Sequence, residues 1–141
     1  MAGDARAQVE GDALRGDGMM LALALADVAR ERHALSTTIL DLRGLSHVAD
    51  YFVICHGRND RQVKAVADAV VEWREKPLAV EGYESLRWVL VDFVDVVVHI
   101  FEAEAREFYA IERLWGDAPT QVFPDDGEAA QAEATAREPE V

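Results

Sequence analysis

Asp92 and Asp95 are the residues of this chain whose type and spacing first suggest chemistry. Two carboxylates held together can bind a divalent cation, and nucleotidyl transfer needs two or three of them converging on Mg²⁺. The pair flanks Phe93-Val94, between apolar runs at residues 88–91 and 96–101. A two-residue hairpin turn there sets the two acids opposite each other. Acids beside a turn more often hydrogen-bond local backbone N–H groups. An enzyme using Asp92 and Asp95 with Mg²⁺ is therefore the alternative reading.

Other reactive groups offer less. His33, His47, His56 and His99 are scattered, and no Cys or His pair has the spacing of a zinc site. Cys55 adjoins His56, but neighbouring strand residues point to opposite faces, so the two cannot act as nucleophile and base. Cys55 reads as a small buried hydrophobe. The segment His56-Gly57-Arg58-Asn59-Asp60-Arg61 joins a strand to a helix, where α/β proteins often bind anions. One glycine is too few for a dinucleotide fingerprint, and no Walker pattern is present. Arg58 and Arg61 oppose the helix dipole there; the preferred reading pairs Arg61 with a carboxylate that ties loop to sheet.

The hairpin organises the rest. With Asp92 opposite Asp95, Leu90 faces Val97 and Trp88 faces His99, and these six share one side of the sheet. Val89, Val91, Val96, Val98 and Ile100 share the other side, which is apolar throughout and reads as the core face. A side carrying a Trp, a Leu, a Val, a His and two carboxylates suits contact with a partner.

Around the hairpin, apolar spacing predicts a helix from about residue 18 to Ala34. A strand follows at 37–42, then a continuous apolar strand at 51–55 of the kind buried on both faces. Val63, Val66, Ala67 and Val70 mark a helix from Asp60 to about Glu75, capped by Asn59 or Asp60. A short strand at 78–81 completes a strand–helix–strand unit if it pairs parallel in the same sheet. A helix over 103–115 carries Phe108, Ile111 and Trp115 on one side. The expected fold is a single α/β domain over residues 18–119, with a mixed sheet of about five strands flanked by helices. Residues 1–17 read as a mobile leader, and 120–141 as an acidic, disordered tail.

The chain has 141 residues, half of them hydrophobic, with 14 basic against 27 acidic side chains and a net charge of −13. That balance disfavours direct DNA or RNA phosphate binding and suits a basic protein partner. The single cysteine rules out an internal disulfide, and no stretch is long and apolar enough to span a membrane, so the cytoplasm is the expected compartment.

Several blocks together carry a resemblance. Asp50-Tyr51-Phe52-Val53-Ile54-Cys55, Gly57, Asp60-Arg61-Gln62-Val63, Glu81-Gly82 and Trp88-Val89-Leu90-Val91-Asp92 come first. Asp95-Val96-Val97-Val98-His99-Ile100-Phe101 and Glu107-Phe108-Tyr109…Glu112-Arg113-Leu114-Trp115 follow. In order and spacing they resemble the ribosomal silencing factor family (RsfS, also called Iojap), over about residues 19–119. The resemblance implies a nucleotidyltransferase-like fold without the catalytic apparatus, no cofactor, and binding to ribosomal protein L-fourteen of the large subunit. A factor bound there blocks joining of the small subunit and lowers translation when nutrients are scarce. The mixed face, Trp88, Leu90, Asp92, Asp95, Val97 and His99, would then be the docking surface. A homodimer through the same face is the further alternative. The chain departs from the family in two places. Val94 stands where a glycine is usual between the two acids, so a tight primed turn should be strained or replaced. Asn59 stands for a capping serine, and can cap equally.

Overall fold

A computed structural model describes residues 17–126. Helix α1 (Asp17–Glu31) is followed by strands β1 (Leu35–Asp41) and β2 (Tyr51–Gly57), helix α2 (Asp60–Val71), and strands β3 (Ala79–Glu81), β4 (Trp88–Asp92) and β5 (Val96–Glu102). Helices α3 (Ala103–Tyr109) and α4 (Ile111–Leu114) and a last strand, β6 (Thr120–Val122), complete the chain order. The sheet is mixed and six-stranded, in the order β3-β4-β5-β2-β1-β6.

The α/β class and the mixed sheet agree with the expectation, and β2 is the central strand that its unbroken apolar run implies. Tyr51, Phe52, Val53, Ile54 and Cys55 are all buried. On one face β2 meets α1 and α2 through Ala22, Leu25, Ala26, Val63, Val66 and Val70, and the core-facing side of the hairpin adds Val89, Val91, Val96, Val98 and Ile100. A second core lies on the opposite face, where Leu40, Phe52, Ile54, Val97 and Phe101 pack with Ala105 and Ile111 of α3 and α4. Asn59 caps α2 as its type suggests, its Oδ1 accepting the Gln62 N–H at 2.9 Å.

Four expectations need correction. Strand β3 runs parallel to β2 but does not touch it; it pairs antiparallel with β4 at the sheet edge, and the parallel neighbour of β2 is β5. The helix expected over 103–115 breaks at Ala110, which takes φ 45° and donates its N–H to the Arg106 carbonyl at 2.8 Å. Ordered chain continues past residue 119, because β6 pairs with β1 and Phe123 packs against the first core. Residues 1–16 of the expected leader and the tail beyond residue 126 lie outside the described residues, while Asp17, the leader's last residue, begins α1.

The fourth correction is the hairpin register. Asp92 pairs with Val97, Leu90 with His99 and Trp88 with Phe101, two residues on from the expected partners. A shift of two preserves the side-chain period, so the assignment of faces survives while the cross-strand partners change. The cause is the turn. Phe93 is 5 % exposed and points into the first core, and its N–H donates to the Val96 carbonyl at 2.8 Å. The Asp95 N–H reaches the Phe93 carbonyl at 3.1 Å around Val94, which is held at φ 79°. That is a γ-turn, a strained conformation for a β-branched residue. Asp92 Oδ1 accepts the Val94 N–H at 2.7 Å and helps to hold it. Strain of this kind costs about 1–3 kcal/mol, against about 0.5–1 kcal/mol for the extra unfolded-state freedom of glycine. Val94 is exposed, so its side chain contributes little packing. Val94→Gly should therefore raise stability by about 1 kcal/mol, read as a higher urea midpoint with an unchanged slope.

Candidate docking face

Strand β4 alternates by design of its sequence: Val89 and Val91 are fully buried, while Trp88, Leu90 and Asp92 are half-buried on the opposite side. The strand outside it, β3, sets only Ala79 opposite Asp92 and Glu81 opposite Leu90. Neither side chain is large enough and apolar enough to cover the row, so this end of the second face stays open.

The structure separates the six expected docking residues. Trp88, Leu90 and Asp92 form the open row, and Asp95 is exposed in the turn. Val97 and His99 are each only 4 % exposed, so they form the floor beneath the row and present almost no surface. The five strand residues among them remain on one side of the hairpin, but Val97 and His99 belong to the fold's interior.

Trp88 is held on three sides. Its indole Nε1–H donates to His99 Nδ1 at 3.1 Å. Its ring stacks on Phe101 at 4.9 Å between centroids and meets Tyr109 at 4.8 Å. His99 in turn packs against Phe52 at 4.3 Å, and Phe52 against Trp115 at 6.3 Å. Aromatic rings thus run from the end of α3 across the sheet to the end of α4. Burial pushes the His99 imidazole down to about 4, so it is neutral at neutral pH.

Sequence reasoning missed several exposed apolar groups, of which Tyr109 borders Trp88. Phe108 is 76 % exposed and Tyr109 46 %, in the last turn of α3. Leu45 and Val48, in the β1–β2 connection, and Leu114 are also exposed. Leu45 and Leu114 share an open groove of about 430 Å³ with Arg113, Trp115 and Asp117. The Ala110 break has no sequence signal, since alanine favours helix.

Acids rim the tip. Besides Asp92 and Asp95, Asp50 is exposed there, its N–H donating to the Asp95 carbonyl at 2.9 Å. Asp92 faces Val97 across the ladder, so the premise that the two turn acids oppose each other fails. Among the described residues, no group of three or more His, Cys, Asp or Glu is placed to hold a metal ion.

The remaining candidates resolve into structural roles. Cys55 is fully buried, and desolvation pushes its thiol up to about 12, far from a reactive thiolate. Among the described residues neither Arg58 nor Arg61 forms an ion pair; the loop is tied down by Gln62 instead. Gln62 accepts the Arg58 N–H at 2.7 Å and donates to the His33 carbonyl at 2.6 Å. His56 meets Arg106, a residue the sequence reading passed over. Arg106 Nη1 lies 3.0 Å from His56 Nδ1 and donates to the Ser36 carbonyl at 2.9 Å, while Nε donates to Glu112 Oε2 at 3.0 Å.

Comparison with known proteins identifies the family. The family described as "Ribosomal silencing factor during starvation" matches residues 18–141. This chain belongs to that family. It is 44 % identical over 105 residues to ribosomal silencing factor RsfS of Bacillus subtilis, covering 72 % of this chain and 86 % of that one. Protein Iojap of the Zea mays chloroplast is 31 % identical over 111 residues, covering 77 % of this chain and 49 % of that one. A crystal structure of a protein from Chromobacterium violaceum superposes with a TM-score of 0.64 at 34 % identity, covering 69 % of this chain and 85 % of that one. The family match and the structural likeness together assign this chain its fold family.

Proposed function

We propose that this protein is a translational silencing factor that binds the large ribosomal subunit through ribosomal protein L-fourteen. Bound there, it occupies the ground on which the small subunit would join. The observation that carries this reading is the open row Trp88, Leu90 and Asp92 on β4, an aromatic–aliphatic strip rimmed by carboxylates. A strip of this composition offers a tryptophan anchor for a partner's pocket and acids for its basic rim. The net charge of −13 adds long-range attraction for a basic ribosomal protein. Steric blocking needs only binding energy, so no catalytic constellation is called for. No helix among the described residues is long and apolar enough to cross a membrane, in keeping with action in the cytoplasm beside the ribosome.

Co-sedimentation with purified large subunits tests the reading. Trp88→Ala removes the anchor and should weaken binding about 30-fold or more, the size of an interfacial hot spot. Asp95→Arg reverses a rim charge in an exposed turn; it should slow association and flatten its salt dependence. If both variants are folded and co-sediment like the parent protein, the docking face is wrongly assigned. Light scattering across a concentration range checks the other occupant of this face, a second copy of the chain.

A further inference from the structure

We infer that His99 is a positioning residue for Trp88: it fixes the indole in the orientation presented to the partner and makes no contact with the partner itself. The inference rests on the docking reading above and changes the role of one of its residues. At 4 % exposure His99 lies beneath the face, out of a partner's reach, whereas Trp88 is half-buried and forms the surface above it.

The hydrogen bond determines the chemistry of the imidazole. An indole Nε1–H is only a donor, so His99 Nδ1, 3.1 Å away, must be the acceptor. The ring proton then resides on Nε2. Among the described residues Nε2 has no hydrogen-bond partner, and it is shut off from solvent. A buried donor without a partner is a cost that leucine, of similar size, would not incur. What histidine offers at this position, and leucine does not, is an acceptor aimed at the indole N–H. Stacking on Phe101 and the contact with Tyr109 fix the plane of the Trp88 ring, but a flat ring can still turn over within that slot. The bond to His99 selects one of the two edges. Neutrality of the imidazole is essential to this, since a protonated ring would point N–H against N–H. Burial keeps it neutral throughout the physiological range.

The test combines binding to purified large subunits with nuclear magnetic resonance of the free protein. His99→Leu should weaken binding about five- to tenfold, the value of one hydrogen bond's worth of orientation, while the protein stays folded. His99→Asn, whose Oδ1 replaces the Nδ1 acceptor, should restore most of it. In the free protein, the His99 nitrogens should report a proton on Nε2, and the Trp88 indole proton should exchange with water slowly in the parent and quickly in His99→Leu. Unchanged affinity of folded His99→Leu overturns the inference. So does a parent protein whose His99 carries its proton on Nδ1, an observation that needs no variant to fold. Loss of the docking reading looks different: Trp88→Ala would then bind as tightly as the parent, whatever His99 does.

Discussion

Gly82→Ala is expected to destabilise the protein by about 3–5 kcal/mol, the range of severe backbone and packing disruptions. Gly82 closes the turn from β3 into β4 with φ 80°, its carbonyl accepting the Leu86 N–H at 3.1 Å. A Cβ built there would collide with the Trp88 carbonyl oxygen and lie 3.1 Å from the Trp88 carbonyl carbon. Neither atom can yield cheaply. Both belong to the backbone of β4, which is clamped between β3 and β5. The chain must therefore let β3 peel from the sheet edge or distort β4 at Trp88. Gly44 supplies the control. It has nearly the same φ, 81°, yet its Cβ would meet nothing within 4 Å. Gly44→Ala should cost only the conformational part, about 1 kcal/mol. Urea unfolding of the two variants separates the price of the dihedral from the price of the collision. Equal losses would show that the close approach at Trp88 does not matter. Because the collision is with the backbone of Trp88, the docking proposed above predicts that Gly82→Ala also weakens binding to the large subunit.

What could be read from the residues follows from how local each signal is. The unbroken apolar run at 51–55 and the stripe Val63, Val66, Ala67 and Val70 are set by burial within one element, and both appear where expected. The two faces of the hairpin were legible because side-chain alternation has period two. The register was not, because it depends on Phe93 turning inward and on Asp92 capping the Val94 N–H. Partners that lie far apart in sequence were equally hidden. Nothing near residue 120 announces that β6 will find β1, or that Asp125 will accept the Ser36 N–H at 2.7 Å. The site divides in the same way. Trp88, Leu90 and Asp92 follow from alternation along one strand, whereas the burial of Val97 depends on α3, α4 and Trp115 packing with it, and that of His99 on Trp88, Phe52 and Phe101 around it. The break between α3 and α4 likewise depends on Ala110 entering the left-handed region, held there by tertiary contacts against alanine's own helical preference.

Those contacts converge on Arg106, and Arg106→Ala should lower stability by about 2–4 kcal/mol. The side chain is 11 % exposed and forms an ion pair with Glu112 across the α3–α4 break. The same guanidinium donates to the Ser36 carbonyl and lies within 3.4 Å of the Leu35 carbonyl and of Thr38 Oγ1, which binds α3 to the start of β1. Truncation strips several acceptors of one shared donor, and breaking a buried pair of this kind costs about 3–5 kcal/mol. Glu112 is one-third exposed, so water recovers part of its solvation and brings the figure down. Glu112→Gln retains an acceptor for the guanidinium and should cost about 1 kcal/mol. The ordering of the two variants in urea midpoint is the first check. The second is the titration of His56, held below the usual imidazole range by burial first and by the neighbouring Arg106 charge next. Removing Arg106 takes away the second cause, so the His56 midpoint should rise toward its ordinary value. Its folded value is depressed relative to the unfolded chain, so the stabilisation from keeping His56 neutral is present above the ordinary imidazole range and declines as pH falls. Arg106→Ala should therefore flatten the acid side of the stability profile even as it lowers the whole curve. A His56 midpoint that does not move would mean that burial alone holds it down. In that case the guanidinium serves only as the tie between α3, α4 and β1, and so supports the placement of Tyr109 beside Trp88.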